Sequence, residues 1–152
     1  MSRQLLLLRS AAVLWVVWGL VHVFAGVMTM TLPTSDAVAG IADAIPPETL
    51  AMDYPAAAGA VLKQHGWNLA WIGLTTALCA LAMWRPRLWP VLLAALVGGL
   101  ADLGYFIFMD LGGYSKFVPG TVMTLVSSAA IVLSFAAMWP LRGTPDVGAS
   151  AS

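Results

Sequence analysis

Residues 88–109 read LWPVLLAALVGGLADLGYFIFM, and this stretch decides the fold. An α-helix rises about 1.5 Å per residue, so about 20 apolar residues cross the roughly 30 Å hydrocarbon core of a bilayer. The quoted stretch is long enough and carries a single charge, Asp102. It therefore predicts a helix that crosses a membrane.

Three further stretches, residues 11–30, 67–84 and 117–139, are also long and apolar. Together the four predict an all-α protein with one domain over residues 1–142, built as a bundle of four antiparallel transmembrane helices. A long outer loop over residues 31–66 joins the first two helices. We expect residues 143–152, which are small and polar, to form a disordered tail.

The outer loop has a pattern of its own. Its spacing predicts a short helix over residues 36–45, capped by Thr34 or Ser35 and stopped by Pro46 and Pro47. One interpretation is a lid across the outer mouth of the bundle. The other is an amphipathic segment that lies among the lipid headgroups.

Composition supports a membrane protein and excludes several other classes. Of the 152 residues, 61% are hydrophobic and 9% are charged, whereas a soluble domain carries about 25% charged residues. The formal net charge is zero, so the chain offers no basic surface for nucleic acid. One cysteine excludes an internal disulfide framework, and the two histidines have no HxxxH or HExxH spacing, so no metal site is predicted.

The positive charges predict the orientation. Cytoplasmic segments of membrane proteins are enriched in Arg and Lys, which here places both termini in the cytoplasm and the chain in the cell membrane as a multi-pass protein. All five arginines fall on one side, at positions 3, 9, 85, 87 and 142. The other side carries Lys63 and Lys116 together with five of the seven acidic residues, at positions 36, 43, 48, 53 and 110.

Two polar residues lie deep in the predicted spans. His22 and Asp102 each fall about 11–12 Å below the outer surface, on helices that run in the same direction, so they can face each other at one level. An ionisable residue inside a membrane is a functional-site hypothesis by default. We take His22 and Asp102 as candidate catalytic residues, in which the carboxylate orients the imidazole and the pair exchanges protons.

The remaining candidate residues are polar or aromatic and lie in the outer half of the bundle, while the inner half is almost entirely apolar. This asymmetry favours a pocket that opens outward over a channel lined through both halves. The candidate ligand-binding residues are His65, Asn68, Trp71, Thr75, Tyr105 and Thr124.

The first predicted helix contains Gly19-Leu20-Val21-His22-Val23-Phe24-Ala25-Gly26, a GxxHxxxG pattern. With four predicted spans and both termini inside, the chain resembles the small DoxX-like bacterial membrane proteins in its overall plan and first helix. Some members of that group are associated with quinone-linked sulfur oxidation. The resemblance implies a place in the bacterial inner membrane.

Three functions remain open at this point. The first is binding of a small apolar ligand, quinone-like or lipid-like, as an accessory subunit that has a membrane protein partner in a redox or lipid-handling system. The second is an enzyme with His22 and Asp102 as acid and base. The third is a purely structural or assembly protein. The substitution Asp102→Asn separates the last two, because it abolishes turnover in the enzyme and is nearly silent if the pair only orders the helices.

Overall fold

The computed structural model describes residues 2–139, and the helical class predicted from the sequence is confirmed for them. Arg142 and the predicted tail at 143–152 lie outside the described residues. The α-helices are α1 (Arg3–Thr31), α2 (Thr34–Ile41), α3 (Pro47–Leu50), α4 (Ala56–Ala82), α5 (Leu88–Tyr105) and α6 (Val122–Met138). One π-helical turn, Phe106–Asp110, extends α5, and another, Phe117–Thr121, leads into α6.

Three helical segments are long and apolar enough to cross a membrane: Arg3–Thr31, Leu88–Asp110 and Phe117–Met138. The fourth long helix, α4, is not among them. It has 27 residues, but its first half carries Lys63, His65 and Asn68, which lower its hydropathy. The described chain is therefore all-helical and has three segments with the character of membrane spans.

The four long helices pack as a ring. Helix α1 packs along α4 on one side and along α6 on the other, and α5 closes the ring against α4 and α6. Helices α1 and α5 therefore lie opposite each other across the bundle. The buried core of the bundle contains Trp15, Trp18 and Met83, surrounded mostly by small side chains.

Paired glycines bring α1 and α4 into backbone contact. A Cβ atom on Gly19 would lie 2.6 Å from the carbonyl oxygen of Gly73, and one on Gly26 would lie 2.5 Å from that of Gly66. On each helix the two glycines are seven residues apart, as expected for antiparallel helices that pack along a heptad stripe. We call these four residues the glycine seam.

Two of the observed helices begin well before the predicted spans. Helix α1 begins at Arg3 rather than at residue 11, because the Ser2 hydroxyl caps it by accepting from the Leu5 amide at 3.3 Å. Helix α4 begins at Ala56, directly after Pro55, and continues without a break into the predicted span at 67–84. Proline suits the start of a helix, since its fixed φ is helical and the first amides need no partner.

The segment between α1 and α4 also differs from the prediction. The helix expected over 36–45 runs over Thr34–Ile41, with Pro33 in the cap position, and neither Thr34 nor Ser35 provides a side-chain cap. Pro46 and Pro47 do not end that helix. They begin α3, in which Pro47 occupies the first turn.

The glycine seam gives a direct stability prediction. Gly26→Ala forces α1 and α4 apart, and overpacking of this kind costs about 1–3 kcal/mol, so we expect a lower unfolding temperature in detergent. Gly104→Ala is the control, because a Cβ atom there meets nothing within 4 Å and alanine is the better helix former. An equal fall in unfolding temperature in the two variants would contradict the close packing of α1 and α4 at the glycine seam.

Candidate functional site

Asp102 is the buried charged residue at the centre of the site, with 3% of its surface exposed. Its Oδ1 accepts a hydrogen bond from Trp18 Nε1 on α1 at 3.2 Å. Its Oδ2 accepts from the Ser127 hydroxyl on α6 at 2.5 Å. A carboxylate is costly to bury without such partners, and here the partners come from two different helices. Asp102 therefore ties α5 to both α1 and α6.

His22 lies one helical turn beyond Trp18. The two rings are stacked, with centroids 3.6 Å apart and planes inclined by 20°. The imidazole Nδ1 lies 2.8 Å from the Trp18 carbonyl oxygen. A carbonyl only accepts hydrogen bonds, so Nδ1 carries the proton in this contact. The other ring nitrogen, Nε2, makes no hydrogen bond within the described residues.

His22 and Asp102 line the same cavity, which has a volume of about 710 Å³. Within residues 2–139 they form no hydrogen bond with each other, so the expected direct orientation of the imidazole by the carboxylate is not observed. Trp18 lies between them instead, since its N–H binds Asp102 while its ring and carbonyl hold His22. The imidazole is therefore oriented through Trp18.

The cavity is predominantly apolar. Its polar side chains are His22, Thr29, His65, Asp102 and Tyr105. Phe24 on α1 and Phe108 after α5 also line it, and they are 67% and 72% exposed. The cavity therefore reaches the molecular surface between the end of α1 and the turn that follows α5.

The candidate ligand-binding residues separate into two groups. His65 and Tyr105 line the cavity, together with His22 and Asp102. The other four are not among its lining residues. Asn68 and Trp71 bond to each other on the exposed side of α4, with Nε1 of Trp71 donating to Oδ1 of Asn68 at 3.1 Å. Thr75 is half-buried elsewhere on α4, and Thr124 donates to Asp110.

Asp110 is the centre of a second polar cluster. Its carboxylate accepts from the hydroxyls of Ser115, Thr121 and Thr124, the last two at 3.2 Å and 3.0 Å. These bonds hold the connection between α5 and α6. Among the described residues no group of three or more His, Cys, Asp or Glu side chains could hold a metal ion.

Helix α2 closes one end of the cavity. Its residues Ala37, Gly40 and Ile41 form part of the wall. Just after α2, Asp43 Oδ1 accepts from the Lys116 amide at 2.6 Å, and the Ala44 amide donates to the Tyr114 carbonyl at 3.1 Å. The segment that follows α1 is therefore fastened to the connection between α5 and α6.

Trp18 and Ser127, which hold Asp102, are not among the candidate residues predicted from the sequence. The spacing of four residues between Trp18 and His22 was the available signal, because it places both rings on one helical face. Ser127 could not be separated from its neighbour Ser128 by sequence.

Comparison of the chain with protein-family models, with curated proteins and with solved structures finds no match.

Two adjacent serines test the Asp102 site. Ser127→Ala removes one donor to the buried carboxylate and should lower the free energy of unfolding by about 1–3 kcal/mol. Ser128→Ala is the matched control, because Ser128 is exposed on the other side of α6. Denaturation in detergent measures both variants, and an equal small effect would contradict the role given to Ser127.

Proposed function

We propose that this chain is a multi-pass protein of the cell membrane that binds a small apolar ligand, quinone-like or lipid-like, in the cavity beside His22. In this proposal α1, α4, α5 and α6 all cross the bilayer. The packing of α4 along α1 through the glycine seam supports the fourth span, because a helix in that position shares the depth of its partner.

The distribution of charges supports cytoplasmic termini. Arg9 lies over the ring of Trp84, 5.2 Å from its centroid, so the start of α1 and the end of α4 share one end of the bundle. Arg85 and Arg87 follow directly after Trp84. The positive-inside rule assigns this arginine-rich end to the cytoplasm and leaves the cavity in the outer half.

The observation that carries the proposal is the cavity itself. Its volume of about 710 Å³ lies within the range of about 300–1,000 Å³ that is typical of ligand pockets, which are mostly apolar with a few placed polar groups. The exposed Phe24 and Phe108 at its opening would face lipid in a bilayer. A ligand that partitions into the membrane could therefore enter sideways.

Ligand binding is better supported than the two other functions. A purely structural bundle gains stability by filling its interior, because close packing is the rule in protein cores. Acid–base catalysis by His22 and Asp102 would need proton exchange between them, whereas Asp102 bonds Trp18 and Ser127. We also propose that the chain is DoxX-like and acts as an accessory subunit beside a membrane protein partner. The resemblance in overall plan and first helix supports this.

We also propose that α2 and the residues after it form a lid at the outer end of the cavity. Two hydrogen bonds support this, since they would hold the lid closed: Asp43 accepts from the Lys116 amide and the Ala44 amide donates to Tyr114, both in the connection between α5 and α6. Lids of this kind exclude water and retain the ligand.

A cavity-filling substitution tests the binding proposal. Gly104 lines the cavity, and a Cβ atom there meets nothing within 4 Å. Gly104→Phe should fill the space without disturbing the helices. Native mass spectrometry from a mild detergent should then show a discrete added mass on the wild-type protein that Gly104→Phe loses. The matched control is Leu103→Phe on the exposed side of α5, which should keep it. A bare mass in all three proteins would contradict the proposal.

The lid makes a separate prediction. Asp43→Ala removes the acceptor of the Lys116 amide, and hydrogen bonds to charged groups contribute about 1.5–3 kcal/mol, so amide exchange at Lys116 and along α2 should accelerate roughly tenfold. Asp36→Ala is the control, because within residues 2–139 the Asp36 side chain hydrogen-bonds only its neighbour Ser35. Hydrogen–deuterium exchange measures both. Unchanged exchange in Asp43→Ala would contradict a fastened lid.

A further inference from the structure

We propose that the ligand is an amphiphile whose polar end is a hydroxyl group, and that this hydroxyl donates a hydrogen bond to Nε2 of His22. The inference rests on the proposed function and makes it more specific. It names the chemistry at the polar end of the ligand, which the size and apolarity of the cavity leave open.

The first step is the proton position on His22. The neutral imidazole has one N–H, and the contact of 2.8 Å with the Trp18 carbonyl uses it at Nδ1. Nε2 then presents a lone pair and can only accept. A second proton would make the ring cationic, and among residues 2–139 no carboxylate bonds to His22 to pair with that charge.

The second step is that Nε2 is available to a ligand. It has no hydrogen-bond partner among the described residues, and it is not one of the fully enclosed side-chain atoms in this part of the chain, so it is open to the cavity. His22 itself lines the cavity. Nε2 is therefore an accessible acceptor in a predominantly apolar space, and an unmet acceptor there is costly.

The third step excludes Asp102 as the competing acceptor. Only 3% of its surface is exposed, so little of either oxygen is open to a ligand beyond the hydrogen bonds that they accept from Trp18 and Ser127. Asp102 acts as a positioning residue, because it holds the indole on which the imidazole is stacked. Nε2 of His22 is thus the fixed polar contact for a ligand.

The fourth step compares possible polar ends. A hydroxyl has a proton to donate to Nε2, whereas an ether or a ketone does not. The apolar remainder of the ligand fits the walls that lead to Phe24 and Phe108, and from there it can continue into lipid. A phenolic ring and an aliphatic alcohol share this chemistry, so the test includes both.

The experiment uses the fact that the chain has two histidines. The full-length protein in detergent is labelled with ¹⁵N at histidine, and the spectrum of His65→Gln identifies the His22 signals. The probes are two matched pairs: 1-naphthol with 1-methoxynaphthalene, and 1-dodecanol with methyl dodecyl ether. Before any probe is added, we expect the proton on Nδ1 of His22 and a bare Nε2.

In at least one pair, the hydroxyl probe should bind roughly fivefold or more tightly than its ether, as expected for one net hydrogen bond. It should also shift the Nε2 resonance of His22, and the ether should not. Binding only by the naphthol would assign a phenolic head to the ligand. Binding only by the dodecanol would assign an aliphatic one.

Two results would overturn this inference and leave the proposed function standing. One is equal binding of alcohol and ether in both pairs, and the other is a His22 ring whose proton resides on Nε2. A third result would overturn the proposed function as well: none of the four probes binding the wild-type chain more tightly than it binds Gly104→Phe.

Discussion

The rest of the structure depends on how the buried carboxylate of Asp102 is paired. Burying it among apolar helices is costly unless hydrogen-bond donors reach it, and the donors are Trp18 on α1 and Ser127 on α6. Meeting this requirement fixes three helices at one level. It also fixes the plane of the Trp18 ring, on which His22 is stacked. The hydrogen bonds of Asp102 therefore set the orientation of the accessible imidazole nitrogen, although the ligand need not contact Asp102.

The two sides of α1 explain why the bundle is tight in one place and open in another. On one side, Gly19 and Gly26 allow backbone contact with α4. On the neighbouring side, His22, Ala25 and Met28 line the cavity, together with residues of α5. Helices α1 and α5 are opposite members of the ring, so only side chains can occupy the space between them. At the level of His22 the side chains do not fill this space, and the cavity remains.

Hydropathy predicted the helical class and four spans, three of which have the length and apolar character of membrane helices, because both depend only on local composition and helix geometry. The sequence did not predict which side of α4 faces inward, so Asn68, Trp71 and Thr75 were chosen for residue type and depth alone. The rotation of α4 is set by Gly66 and Gly73 against α1, a relation between distant segments. The role of Trp18 and the size of the cavity likewise depend on the packing of several helices, which no single stretch of sequence contains.

The most direct test of the account is photo-crosslinking in the native membrane. A diazirine side chain at Met123, which lines the cavity, should capture one discrete molecular species, identified by mass spectrometry of the adduct. The same group at the exposed Leu125 on α6 should capture the mixed phospholipids of the bilayer. If both positions yield the same mixture, the cavity holds ordinary lipid chains, and the claim that it is a specific binding site is wrong.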